Sequence, residues 1–297
     1  MSNKYPQLKD LKIKIFTRSF SLELYTLAKE LFKDIDIPIV RLTDQSADGY
    51  FFTMLKDKDC DLAINIDEDA FIVTLNEILE LANYVVENNY ANAGSPDAGD
   101  GCPRGANPIV TNPFFNILNL KLIRSKQINK KEIKSFDYQL YKSKMIECFP
   151  KEKLSGSYDF NAEYTEPYYQ FFLWLAYNFK TLYLNTQKHP DGISTILYSP
   201  NNKIICYHSW FARFYNTPSF FVKFFQRGFN KQKTRIDNLI NEVYQIRKLQ
   251  RPEFTNKDYL RFRKDVLIRW SIKIPQRIAN WPNKWKKWYK RRATKNF

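Results

Sequence analysis

Glycine and methionine are scarce in this 297-residue sequence, eight and three respectively, and only two histidines occur. With 44% apolar and 16% aromatic residues, that composition excludes collagen-like and disordered chains and supports a sizeable core. The four cysteines, Cys60, Cys102, Cys148 and Cys206, are dispersed and form no C-x-x-C pair. Zinc-ribbon and redox-motif readings therefore fail, and reduced thiols in a cytosolic compartment are expected. Long apolar runs are missing too. The longest, Phe171 to Tyr177, is too short to span a bilayer, and Met1 to Asp10 is polar, without the apolar stretch of a secretory signal. A soluble or peripheral protein is expected.

The charge is unevenly placed. The whole chain carries +16, but residues 223–297 hold 22 Lys and Arg against 5 Asp and Glu, a net of +17, which leaves the rest close to neutral. The composition shift near Pro218 divides the chain into a neutral body, residues 1–218, and a basic aromatic extension, residues 219–297.

Along the body, strand and helix periodicities alternate. Lys12 to Phe16 alternates charged and apolar residues as a strand does. Leu24, Leu27, Ala28, Leu31 and Phe32 share one helical face. Ile37 to Leu42 reads as a second strand, Gly49 to Leu55 as a short helix and Asp61 to Ile66 as a third strand. Thr74 and Glu77 have capping-box spacing ahead of a helix. This order predicts parallel strands with helices on both faces of the sheet. Tyr90 to Pro113, with four of the eight glycines and several prolines, is expected to be a long loop. Residues 119–155 read as Lys-rich and moderately helical, Pro167 to Phe179 as a buried aromatic helix, and Thr181 to Leu184 and Lys203 to Tyr207 as short strands.

The third strand runs directly into Asp67-Glu68-Asp69. Residues i and i+2 of a strand point to one side, so Asp67 and Asp69 can converge while Glu68 points away. Two hard oxygen donors at the carboxyl end of a strand suit Mg²⁺ or Mn²⁺, at the edge where open α/β sheets bind ligands. A solvated acidic turn that merely ends the strand fits the same residues. His208 follows the apolar stretch Ile204 to Tyr207 and reads as a hydrogen-bonded histidine at a strand end, the alternative of a metal ligand coming from the resemblance drawn below. His189 is expected in a turn, in a structural role. Glu166, just before Pro167, is expected at or beside a helix N-terminus, whose dipole stabilises its ionised form. It reads as a general base or as a plain cap, with Asp159 and Glu163 as alternatives. Asp97, Asp100 and Arg104 lie in the expected long loop.

The short helix holding Gly49 to Phe52, then Asp59-Cys60-Asp61, then the strand and acidic turn resemble the GT-A glycosyltransferases. Asn107-Pro108 through Asn116, Glu166 to Tyr169 and Tyr207 to Arg213 extend the similarity to bacterial glycosyltransferases of surface-polysaccharide type. It covers roughly residues 12–215. The resemblance implies an α/β fold, a GT-A-like Rossmann-type mixed sheet flanked by helices, followed by a helical basic extension. It also implies a Mn²⁺ or Mg²⁺ held by Asp67, Asp69 and His208, with Asp69 the more direct ligand. It further implies a nucleotide-diphosphate sugar donor contacted by Thr17, Arg18, Asp44, Asp67, Glu68 and Arg104, with Glu166 as the acceptor-side base. The acceptor it implies is a glycan or lipid-linked molecule of the lipopolysaccharide or capsule kind.

In the extension, Trp281, Trp285 and Trp288 fall on one helical face among Lys286, Lys287, Lys290, Arg291 and Arg292, an interfacial pattern. Phe220, Phe221, Phe224 and Phe225 form another apolar stripe. The expected partner is an anionic membrane surface, reached peripherally from the cytoplasmic side, with packing or oligomer contact as the alternative. Nucleic acid is not expected as a partner, although a basic aromatic tail also suits a nucleic-acid-binding protein. Nucleotidyl transfer on a similar fold shares the acidic turn; it would want a Gly-rich basic loop near the first strand, where Phe16 to Ser19 offers only Arg18.

Overall fold

Buried hydrophobic side chains lie on both faces of one central sheet. The computed structural model describes residues 4–43, 49–98, 106–127, 129–154, 158–162, 166–212, 215 and 230–279. Its first elements are β1 (Ile13–Arg18), α1 (Leu22–Glu30), β2 (Ile39–Leu42), α2 (Gly49–Lys56) and β3 (Leu62–Ile66). Ser21 caps α1 by accepting from the Leu24 N–H. They are followed by β4 (Ala70–Ile72), α3 (Leu75–Glu87), β5 (Tyr90–Pro96), β6 (Thr111–Asn119), α4 (Leu120–Arg124), α5 (Lys130–Lys134) and α6 (Tyr138–Cys148). The rest are α7 (Tyr169–Asn178), β7 (Lys180–Tyr183), β8 (Thr186–Lys188), β9 (Thr195–Tyr198), β10 (Ile204–His208), α8 (Asn230–Ile246) and α9 (Asn256–Ala279).

A six-stranded sheet has the order β2-β1-β3-β6-β5-β7. β1 pairs parallel with β2 and β3, β6 runs antiparallel to β3 and β5, and β7 is parallel to β5. This is the expected mixed sheet flanked by helices. All five residues of β3 are buried, as a central strand covered on both faces requires. Leu62, Ile64 and Ile66 join α1 and α3 in one core, while Ala63 joins Phe16, Phe51 and the α7 aromatics Phe171 and Phe172 in the other. A second sheet, β4-β10-β9-β8, is antiparallel, with His208 opposite Ala70 and Tyr207 opposite Phe71.

The expected loop over 90–113 is corrected at both ends: Tyr90–Pro96 is a strand, and β6 begins at Thr111. Gly94 is needed there for close approach, because a Cβ would lie 2.4 Å from the Asn116 side-chain nitrogen and 3.0 Å from the Phe115 carbonyl oxygen. The Thr74 to Glu77 capping box is not formed. Thr74 is the N-cap of α3 without a side-chain hydrogen bond, and Glu77 is drawn instead to Lys203 at 2.8 Å. α7 begins at Tyr169 rather than Pro167, because Pro167 and Tyr168 form a turn closed by the Tyr169 N–H to the Glu166 carbonyl.

In the basic extension, α8 places Ile236, Leu239, Ile240, Val243 and Tyr244 in the core shared with β1 and α1. The Tyr244 hydroxyl donates to the Leu27 carbonyl and Arg247 to the Leu31 carbonyl. The next helix, α9, buries Phe262 and reaches the body through Asp265, which accepts from the Leu22 N–H and pairs with Arg41. The aromatic stripe at Phe220 to Phe225 and the Trp281, Trp285 and Trp288 face lie outside the described residues. Among the described residues no helix is long and apolar enough to cross a membrane.

Candidate functional site

The strand order places a switch point between β1 and β3, because the chain leaves β1 for β2 on one side and returns to β3 on the other. The carboxyl ends of parallel strands diverge there and leave a crevice. Arg18 ends β1, and Asp67 follows β3 beside it; the guanidinium donates to the Asp67 carboxylate at 2.6 Å. Rings hold Arg18 in place, with Phe20 at 5.6 Å and Tyr50 at 5.3 Å from the guanidinium carbon. Burial alone would depress the guanidinium, but the charges of Asp67, Tyr50 and Asp69 overcome it and hold it above its ordinary value.

The acidic turn is buried rather than solvated. Asp67, Glu68 and Asp69 are 5%, 3% and 9% exposed, and each carboxylate has a different partner. Glu68 turns back to the β1–α1 connection, where it accepts from the Ser19 hydroxyl and from the Phe20 and Ser21 N–H groups. Burial pushes its carboxyl up to about 7 against those donors. Asp67 is likewise pushed up by burial, to about 6, against the pull of Arg18. At Asp69 burial acts in the same sense, but the His208 ring and then Arg18 outweigh it and hold the carboxyl below its usual range.

The turn joins the two sheets, since β3 precedes it and β4 follows. β10 carries His208 alongside, with Nε2 3.5 Å from the Asp69 carboxylate, and the Ser209 N–H donates to the Asp69 carbonyl. The imidazole stacks on Phe114 at 4.2 Å and meets Trp210 at 4.3 Å. Trp210 and Phe211 both have left-handed backbones, φ 56° and 60°, a costly conformation for bulky residues. Arg235 of α8 clamps this turn by donating from one terminal nitrogen to the Ser209 and Trp210 carbonyls, while its other terminal nitrogen holds Asp191 and Ser194. The Asp191 carboxyl sits down at about 2: burial raises it, but the Ser194 hydroxyl, the Ile193 and Ser194 N–H groups and Arg235 prevail.

A second buried polar cluster ends β5. Asp97 is fully buried and accepts from Asn112 at 2.5 Å, Tyr168 at 3.0 Å and Tyr169 at 2.8 Å. The amino end of α7 is thereby drawn to the carboxyl edge of the sheet, and Glu166 lies in the turn that leads into it. The sequence places Asp97 in the expected long loop, as a solvated residue or a donor contact, and does not disclose its burial; the signal available is the pair of tyrosines at the start of the buried α7 pattern.

Of the other candidates, Thr17 is buried in β1 opposite Arg41. Asp44, Asp100, Arg104 and Glu163 lie outside the described residues, and Asp159 is exposed and bonds Asn161. His189 occupies the expected turn, accepting from the Asp191 N–H and facing Glu242.

Among the described residues no three His, Cys, Asp or Glu side chains form a group that could hold a metal ion. Arg18 occupies one oxygen of Asp67, and Asp69 and His208 face each other. The donor chemistry still fits a cation completed by substrate, because Mg²⁺-type ions are commonly bound by one or two carboxylates together with substrate phosphates. The Asp67 Oδ1 and the His208 Nδ1 are buried and have no hydrogen-bond partner among the described residues.

No family model matches the chain, and no curated protein matches it. Among solved structures the chain is similar to A197 from STIV, with 11% identity, 66% of this chain and 94% of that one covered, and a TM-score of 0.33. It is also similar to a glycosyltransferase involved in the glycosylation of the major capsid of PBCV-1, with 14% identity, coverages of 52% and 85%, and a TM-score of 0.28. At that level of superposition neither likeness bears on function.

Proposed function

We propose that the protein is a glycosyltransferase that takes its sugar from a nucleotide-diphosphate donor bound in the crevice between β1 and β3. The observation that carries this reading is the buried run Asp67-Glu68-Asp69 at the switch point, with Arg18 on its first carboxylate and His208 beside its third. Three acids in succession are costly to bury, and sites that hold such charges are often functional. Glu68 shapes the β1–α1 turn, which leaves Asp67 and Asp69 for the donor. In this reading Thr17, Arg18 and Asp67 lie along the nucleotide, with Asp44 and Arg104 as further donor contacts.

Asp69, with His208 at its side, would hold a Mn²⁺ or Mg²⁺ together with the donor diphosphate. Such a cation, when bound, neutralises charge on the departing nucleotide diphosphate. Glu166, at the mouth of α7, takes the proton from the acceptor hydroxyl. The acceptor is a glycan or lipid-linked glycan of the lipopolysaccharide or capsule kind.

A thermal-melt series with several nucleoside diphosphates, with and without Mn²⁺, tests the reading. A ligand at 100 times its Kd stabilises the native state by about 2.7 kcal/mol. One diphosphate is expected to raise Tm in the presence of Mn²⁺, with the effect removed by Asp69→Asn. No shift with any of them, or a shift indifferent to Asp69→Asn, overturns it.

A further inference from the structure

We propose that α9 is a membrane-docking helix whose outward face, Leu260, Leu267 and Ile268 among Lys257, Arg261, Arg263 and Lys264, seats on an anionic bilayer beside the carboxyl edge of the six-stranded sheet. Leu260 and Leu267 are two helical turns apart and each is 65% exposed, and Ile268 is 50% exposed. Large aliphatic side chains left this open, away from the buried Phe262, are not packed into the core among the described residues.

The charges of the same helix are sorted. Lys257, Arg261, Arg263 and Lys264 are all exposed. The two acids are turned to partners, Asp258 to the Thr255 N–H and hydroxyl, and Asp265 to the Leu22 N–H and Arg41. An aliphatic face interleaved with bases, on a helix without the apolar length to cross, suits the interface plane rather than a span. The bases complement an anionic lipid surface. Single-stranded nucleic acid is bound by stacking on exposed aromatic faces, whereas among the described side chains of α9 the aliphatic Leu260 and Leu267, at 65%, are more exposed than Tyr259, at 46%.

The inner face of α9 fixes what the docked protein presents. Asp265 lies at the amino end of α1 and, through Arg41, reaches Ser19, whose hydroxyl donates to Glu68 of the acidic turn. A bilayer under α9 therefore lies near the edge where the turn sits, which suits an acceptor presented from the membrane. That consequence rests on the glycosyl-transfer reading; the docking itself does not.

Flotation of the full chain with phosphatidylcholine vesicles, and with vesicles also containing phosphatidylglycerol, tests docking without any turnover, so it can fail while glycosyl transfer stands, or hold while that reading fails. Binding is expected to the anionic vesicles and to weaken with salt. The variant Leu260→Ser/Leu267→Ser/Ile268→Ser is expected to lose at least about tenfold in affinity with an unchanged melt. Lys257→Glu/Lys264→Glu, with the stripe intact, is expected to lose affinity for anionic vesicles only. The proposal is overturned if the triple variant floats like the parent or melts earlier. It is equally overturned if the charge variant binds anionic vesicles undiminished, or if the parent retains single-stranded DNA but binds no vesicles.

Discussion

The acidic turn and α9 are both dense in charge and treat it in opposite ways. At the turn every carboxylate is withdrawn from water and held by its own partner: Arg18 for Asp67, the β1–α1 connection for Glu68, His208 for Asp69. On α9 Lys257, Arg261, Arg263 and Lys264 stand in solvent. Buried charge is specified by individual groups and is costly to disturb, whereas exposed charge acts as a sum that tolerates the loss of any one member.

The largest effect is expected from Asp69→Asn, which keeps the shape of the side chain and removes its charge. Cation-dependent hydrolysis of the donor should fall by about 10³-fold while the fold persists; unchanged hydrolysis would break the contrast at its strongest point. Next comes Glu68→Ala, which removes the buried carboxylate that accepts from the Ser19 hydroxyl and two backbone N–H groups. Urea unfolding should show a loss of about 3 kcal/mol, and Glu68→Gln should recover part of it. Glu166→Gln is expected to slow acceptor-dependent turnover about 10²-fold with donor affinity retained; equal loss of donor binding would assign Glu166 a structural role.

Asp191 is an intermediate case, half-buried against Arg235. Its folded carboxyl lies at about 2, below its ordinary 3.8. It therefore adds stability above pH 4 that is lost as pH falls towards 2. The stability gap between the parent and Asp191→Asn should be widest near neutrality and close over that interval in acid unfolding. Smallest of all, Lys257→Gln/Lys264→Gln on α9 should change unfolding stability by less than about 0.5 kcal/mol, a result that holds whether or not the helix meets a membrane.

The first half of the sheet was legible because its residues obey one period at a time. β1, α1, α2 and β3 lie within a few residues of where the alternation and the helical stripe put them. β5 and β6 were hidden because Asn92, Gly94, Pro96 and Pro113 are residues of turns, yet here they line a packed edge where Gly94 makes room for Asn116 and Asn92 donates to Thr111. β4 is only three residues long and was masked by the acids before it. At the candidate site, Asp67 and Asp69 could be named from local pattern, because a strand end announces itself, whereas His208 entered through the resemblance. That Arg18 would take Asp67, or that Asp97 would gather Asn112, Tyr168 and Tyr169, depends on strand order and register, which local pattern does not encode. Ile236, Leu239, Ile240, Val243 and Tyr244 spell a buried helical face, but the surrounding lysines and arginines dominate the composition of the segment.

The acidic turn is also a caliper. Asp67 is tied to the large sheet through Arg18 and through its N–H to the Phe114 carbonyl, while Asp69 is tied to the small sheet through His208 and Ser209. One residue, Glu68, spans the jaws. The opening between the two flanking carboxylates is thus gauged by how the sheets stand against each other, and the core that Phe71, Ile72, Ile205 and Cys206 share with β1 and β3 sets the reading. A change of side-chain volume in that remote seam would be transmitted to the carboxylates as a displacement, with no charge altered and no contact at the turn removed.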